Sequence, residues 1–270
     1  MKFRYIGIAT VAATVLSLQA QDASLVQSAL SNYAKDEAVR SDYAYTEEYQ
    51  IKNLDRHGKV TSDHTSEYEA VMLEGVPYLR ETEEEGQPLS GKRAEEEMQK
   101  YLKAAEERKG MTLVQKQESV RTKSLLLDIP LESLNRAYDS RVIGPEIVNG
   151  RETFHVQAKP RSDAASRDGS EPKAANMQID AWIDKQTEHF VRATGVLLGK
   201  GGQFLPGTRV TYEWLPHGDV WLLCQVDFDG AAKVMMTTVT FEAHERYLDY
   251  KKFAITMSDS NPPPTVTKDQ

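Results

Sequence analysis

The period at which apolar and polar positions alternate changes several times along the chain, and each change marks an element. Leu25, Val26, Ala29, Leu30 and Tyr33 recur at helical spacing, so residues 22–40 are read as a helix capped by Asp22. Tyr43, Tyr45, Tyr49 and Ile51 then alternate with polar residues, which is the period of a half-buried strand. Asp55-Arg56-His57-Gly58 supplies a turn into a second strand over residues 59–73, and Gly75-Val76-Pro77 turns into a third over residues 78–82.

Residues 90–121 break the β pattern. Ser90 is placed to cap a helix, Glu95, Glu96 and Glu97 lie near its positive end, and Met98, Leu102 and Ala105 form a thin apolar stripe through Lys- and Glu-rich sequence. This stripe predicts a solvated helix or a weakly held lid. A dense apolar patch, Leu125-Leu126-Leu127 with Ile129 and Leu131, follows, and a short helical piece is expected over residues 131–138.

From Arg141 onward the pattern is almost entirely strand and turn. Asn149-Gly150 predicts a type I′ hairpin between residues 141–148 and 152–159. Residues 160–175 read as an exposed loop. Further strands are expected at 177–183, 189–198, 203–214, 220–228, 233–242 and 246–253, with Asp229-Gly230 as one of the turns. Many short strands joined by tight turns predict a mainly β, α+β protein built on an antiparallel meander. The Pro-rich end, residues 258–270, is expected to be a disordered tail.

The N-terminus adds a location. Lys2 and Arg4 precede an apolar run from Tyr5 to Leu18 and then Gln19-Ala20, the layout of a cleavable secretory signal over residues 1–20. The run is short for a bilayer span of ~20 residues. The expected location is periplasmic, with an inner-membrane anchor by an uncleaved signal as the alternative. The remaining residues 21–257 are expected to form one domain with a helical insert at about 90–138.

Charge narrows the partners. The chain has 33 basic and 41 acidic residues, a formal net charge of −8. Repulsion from phosphate argues against nucleic acid as a partner. Cys224 is the single cysteine, so the fold rests on its core without an internal disulfide.

No catalytic set emerges from the motifs. The six histidines show no zinc-ligand spacing, His244-Glu245 lacks the second histidine of a metalloprotease helix, and Gly199-Lys200-Gly201-Gly202 reads as a hairpin turn. Asp227-Phe228-Asp229-Gly230 lacks the closing carboxylate of a calcium loop, because Thr238 stands there. No metal or cofactor is therefore expected, and a hydrolase acting through unrecognised carboxylates is the least favoured reading. The positive signal is aromatic and apolar. The expected ligand-contacting residues are Tyr43, Tyr45, Tyr49, Ile51, Met98, Leu102, Leu125, Trp182, Phe190, Tyr212, Trp214 and Trp221. A curved sheet with an incomplete cover would leave these around an apolar concavity, the default place for a ligand.

The order of elements resembles the LolA-like family of periplasmic lipoprotein-sorting proteins. The resemblance rests on the leading helix, the Tyr-rich strand, "LDRHGKV", the helical insert, "VNGRETFHVQAKP", "AWIDKQT" followed by "VRATG", and the closing "YLDYKKF". It implies a strongly curved antiparallel half-barrel covered by helices, of the LolA/LolB type, with the insert as a lid. It also implies a monomeric carrier of lipoprotein acyl chains or another lipid, active in outer-membrane biogenesis. An envelope-stress regulator with an envelope protein partner is the alternative on the same fold. Arg40, just before the first strand, is the nearest position for a gating arginine.

Overall fold

The computed structural model describes residues 8–112, 115, 128–161, 176–235 and 237–253, with side chains from Asp22 onward. The start of the expected signal, Leu125-Leu126-Leu127, most of the loop after Pro160 and the C-terminal tail lie outside these residues, while Ile129 and Leu131 of the same patch are buried in the core.

Eleven strands form one antiparallel, open and curved sheet in the order β4-β3-β2-β1-β11-β10-β9-β8-β7-β6-β5. The chain enters at the middle of this sheet and fills it outward in one direction. β1 (Tyr43–Leu54), β2 (Val60–Leu73), β3 (Val76–Glu84) and the short β4 (Gln87–Pro88) lead to one edge. α2 (Gly91–Lys109) starts the crossing, which ends in a 3₁₀ turn (Leu131–Ser133) and α3 (Leu134–Ala137). β5 (Tyr138–Val148) forms the other edge. β6 (Arg151–Pro160), β7 (Met177–Asp184), β8 (Phe190–Leu197), β9 (Arg209–His217), β10 (Val220–Val234) and β11 (Thr237–Lys252) return to pair with β1.

The strand alternation decides which face is buried. In β7, Met177, Ile179, Ala181 and Ile183 are buried while Gln178, Asp180 and Trp182 are half-buried. Val156, Ala193, Val210, Val226, Phe228 and Ala243 continue the same face across the sheet. α1 (Ile8–Arg40) covers it, presenting Val26 and Ala29 to this core. Among the described residues no helix is long and apolar enough to cross a membrane.

The expected hairpin at Asn149-Gly150 is present, with positive φ at both residues (52° and 75°). Three expectations are corrected. Asp229-Gly230 is not a turn, because β10 runs on to Val234. Gly230 is needed for another reason: a Cβ there would lie 2.5 Å from Thr208 Oγ1, so the glycine permits close approach of a neighbouring segment. The last two expected strands are one, β11. The third strand begins at Val76, since the turn is Glu74-Gly75, both with positive φ.

Candidate functional site

The inward stripe of α1 follows a spacing of three and four: Val26, Ala29, Tyr33, Asp36 and Arg40. It divides the concave face into two zones. Under the middle of the helix the face is filled. Tyr33 packs edge-on against Phe190 and Trp214, each at 6.1 Å between ring centroids. Trp221 stacks on His189 at 5.2 Å and carries the Arg151 guanidinium at 4.8 Å. The cavity left between Tyr33, Asp36, His189, Phe190, Trp214 and Trp221 has a volume of about 10 Å³, room for a single water molecule. A hydrocarbon tail does not fit there. Asp36 faces His189 Nε2 at 3.5 Å in this cavity. Burial raises the Asp36 carboxyl above its ordinary value, against a backbone hydrogen bond from Trp221 and the nearby His189. With no space for a substrate, the pair is a clamp between α1 and the sheet.

The clamp is part of a longer seam. Ser28 bonds to Glu188, and Asn32 donates to the carbonyls of Thr187 and Glu188, 3.2 Å each. The turn receiving these bonds is itself fixed by Asp184. Burial works against its charge, yet Arg151 at 2.6 Å and the N–H groups of Gln186 and Thr187 hold its carboxyl below the usual range.

Beyond the C-terminus of α1 the same face changes character. Arg40 lies over the Tyr247 ring at 5.7 Å and beside Glu37 at 3.6 Å. Tyr45 meets Tyr247 and Tyr250, with centroids 5.5 and 5.3 Å apart, and Tyr43 meets Tyr250 at 6.3 Å. Pairing of β1 with β11 sets Glu47 opposite Tyr247 and Tyr49 opposite Glu245, so two tyrosines and two carboxylates alternate on one patch. Tyr68 and Ser66 of β2 extend it. Tyr247 donates to Glu245 at 2.7 Å. Burial, with Glu245 nearby, pushes the Glu47 carboxyl up to about 7. Burial also raises Glu245, against its bond from Tyr247 and the Arg40 charge. At neutral pH this wall can both donate and accept protons and hydrogen bonds. Tyr212, nearer the filled zone, donates to Asp128 at 2.5 Å.

The residues expected around one apolar concavity are thus distributed. Phe190, Trp214 and Trp221 are packed in the filled zone, with Tyr212 at its border. Tyr43, Tyr45, Tyr49 and Ile51 belong to the tyrosine wall or continue it along β1. Trp182 is on the opposite face, stacked on His155 at 4.8 Å and donating to Glu146 at 2.7 Å. Leu125 lies outside the described residues. Of the expected stripe, Met98 and Ala105 are half-buried and Leu102 is 48% exposed, so Leu102 takes no part in docking α2. The anchors are Tyr101, edge-on to Tyr78 at 5.6 Å, and a set of polar side chains. Glu97 accepts from Tyr78 at 3.0 Å and from the Glu81 N–H at 3.4 Å, and Arg108 donates to the carbonyls of Val76 and Pro77 at 3.1 Å each. These side chains occupy backbone groups of β3 where it would otherwise be an open edge. Ser90 takes the N-cap position, but its hydroxyl makes no capping bond.

Sequence reasoning passed over Glu47, Glu245 and the Asp36–His189 pair. Glu47 had a signal: it falls between Tyr45 and Tyr49 at the inward period of the strand, an unusual place for a carboxylate. Among the described residues no group of three or more His, Cys, Asp and Glu is arranged to hold a metal ion.

Neither a family model nor a curated protein matches the chain. Solved structures do. A domain described as an outer membrane lipoprotein-sorting protein from Vibrio parahaemolyticus is 14% identical over 87% of this chain and 95% of that one, with a TM-score of 0.40. A DUF1329 family protein from Desulfovibrio piger is 14% identical over 87% and 95%, with a TM-score of 0.38. A LolA superfamily protein from Nitrosomonas europaea is 8% identical over 87% and 94%, with a TM-score of 0.35. The chain is similar to LolA-like proteins. Two of the three carry the lipoprotein-sorting and LolA names of the family that the sequence resembles. At such identities and TM-scores they carry no ligand and no role over to this chain, and the fold rests on its own strand order.

Proposed function

We infer that this is an exported, non-enzymatic carrier that holds an amphiphile on its concave face. The apolar part of the ligand lies along Tyr45, Tyr49, Ile51 and Tyr247, and its polar end meets Glu47, Glu245 and Arg40. The observation that carries this reading is the contrast within one face. The zone under α1 leaves only a water-sized cavity, whereas the β1–β11 wall presents the half-buried rings of Tyr45, Tyr49 and Tyr250, with Tyr247 buried behind them, beside Glu47, whose carboxyl burial pushes up to about 7, and Glu245, which burial also raises. Aromatic faces with a few polar groups are what a site for an acyl chain and its head requires. Burial of the chain would supply ~0.8 kcal/mol per CH₂. The location is periplasmic on this reading, as the N-terminal signal pattern supports.

Native mass spectrometry of protein recovered from its own cell envelope tests it. A bound lipid or lipopeptide is expected. Protein that is empty in every preparation, and that takes up no fluorescent fatty acid, would contradict the proposal.

A second reading, a regulator that docks an envelope protein, is favoured by one feature. β5 is an edge strand, and its Ile147 is 77% exposed. Capture of a membrane-protein ectodomain that is lost in Ile147→Glu, with lipid binding unchanged, would support it.

A further inference from the structure

The two ends of the sheet are built differently. The end that receives α1 carries the turns after β5, β7 and β9, and it is tied by the Asn32 and Asp36 bonds. The opposite end carries the β1–β2 and β10–β11 hairpins and the segment between β8 and β9. There the last rung between β1 and β11 is Leu54 with Thr240. The β10–β11 hairpin continues past it through Val239, Thr238 and Thr237, a projection of about 10 Å. Its flank is braced by Lys233 N–H donating to Gln203 O at 2.7 Å and by a bridge between Phe204 and Ala232.

The tip of this hairpin is costly in two ways. Met235 is 96% exposed, and its backbone sits in the left-handed region at φ 56°. Glu74, Glu85, Asn149 and Glu188 take the same conformation at other turns, but with polar side chains, whereas Met235 places an apolar one there. Val234 (49% exposed), Val60 (46%) and Leu198 (54%) add apolar surface at the same end. The charges nearest the tip are mostly basic. Arg56, Lys59, Lys200 and Lys233 are exposed around these side chains, on a chain of net charge −8. Acids stand further back: Asp55 accepts from the N–H groups of His57 and Lys59, Asp229 faces Arg209 at 3.7 Å, and Asp63 and Glu242 flank Lys52 across the sheet. Exposed apolar surface at a projecting tip, contributing nothing to the core, points to a use outside the fold.

We propose that this hairpin end is a docking surface for an anionic lipid bilayer. Met235 and Val234 enter the acyl boundary, and the four basic side chains reach lipid phosphates around them. The proposal does not depend on what the concave face holds.

Vesicle flotation tests it, using phosphatidylglycerol–phosphatidylethanolamine vesicles against phosphatidylcholine vesicles. The N-terminal apolar run is common to every variant, so differences between variants carry the result. The wild-type protein is expected to float with the anionic vesicles and to be released by high salt. Met235→Asn should weaken binding about tenfold, through loss of the apolar tip. Its Tm should hold or rise, because Asn accepts the left-handed backbone more readily. Lys59→Gln and Lys233→Gln should each weaken binding about fivefold and flatten the salt dependence. Binding that ignores lipid charge, no binding to either vesicle, or Met235→Asn floating like wild type at equal or higher Tm would overturn the proposal.

Discussion

One sheet carries two regions held by different physics. From β5 to β10, under α1, the inner face is a continuous apolar core in which Ile179, Ile183, Val191 and Val210 are wholly buried. From β1 to β4, with α2 on its edge, the buried apolar set of β2 and β3 is small, Ala70, Leu73, Val76 and Tyr78, and it is joined by many charges and hydroxyls: Arg93 with Glu84 at 2.8 Å and Glu81 at 3.4 Å, Arg80 with Glu69, Arg108 with two carbonyls and Glu97 with Tyr78. A packed core supplies stability and leaves no room. Exposed ion pairs supply little stability but leave polar groups available to a ligand. On the proposed reading, folding rests mainly on one region and binding on the other, and β1 and β11, where they join, carry the tyrosine wall.

The sharpest break between the regions is expected from core truncation. Phe190→Ala, beneath Tyr33, should lower the free energy of unfolding by about 3–5 kcal/mol, read by urea denaturation. Arg108→Ala should cost about 1.5–3 kcal/mol, but locally. Faster amide exchange confined to α2 and β3, with exchange under α1 unchanged, would show that the wing opens by itself. Equal acceleration in both regions would erase the distinction.

A pH prediction follows for the wall. A carboxyl held up to about 7 binds its proton more tightly in the folded chain than in the unfolded one. Its contribution to stability is thus lost as pH rises from the ordinary glutamate range through 7. Glu47→Gln removes that loss. The variant should match wild type at low pH and exceed it at pH 8, by of order 1 kcal/mol once solvent screening of a half-buried group is allowed for. Denaturation curves at the two pH values read the difference, and a gap independent of pH would contradict it. The smallest effect is expected at Leu102→Ala, within about 0.5 kcal/mol, because the exposed side chain does not dock α2.

Much of this architecture was legible in the sequence wherever one period dominated. The spacing of Leu25, Val26, Ala29 and Tyr33 marks the helix over the core, and Asn149-Gly150 marks its hairpin through backbone chirality. Errors arose where one residue type serves two purposes. Gly230 looks like a turn, yet it admits Thr208 to the strand. Trp182 looks like a cavity aromatic, yet its place in the alternation of β7 sends it to the face of His155. Leu102 looks like part of the seam of α2, yet it is exposed, and Glu97 and Arg108 meet the edge backbone of β3. The filled zone was beyond reach of the sequence, because whether facing side chains close a gap depends on how α1 lies across the sheet.

Photocrosslinking with a diazirine fatty acid, followed by mapping of modified residues, tests the division most directly. The account predicts adducts on β1 and β11, at Tyr45, Tyr49 and Tyr247, with Phe190 and Trp214 unlabelled. Labelling of Phe190 and Trp214, or no saturable labelling on β1 and β11, would contradict it.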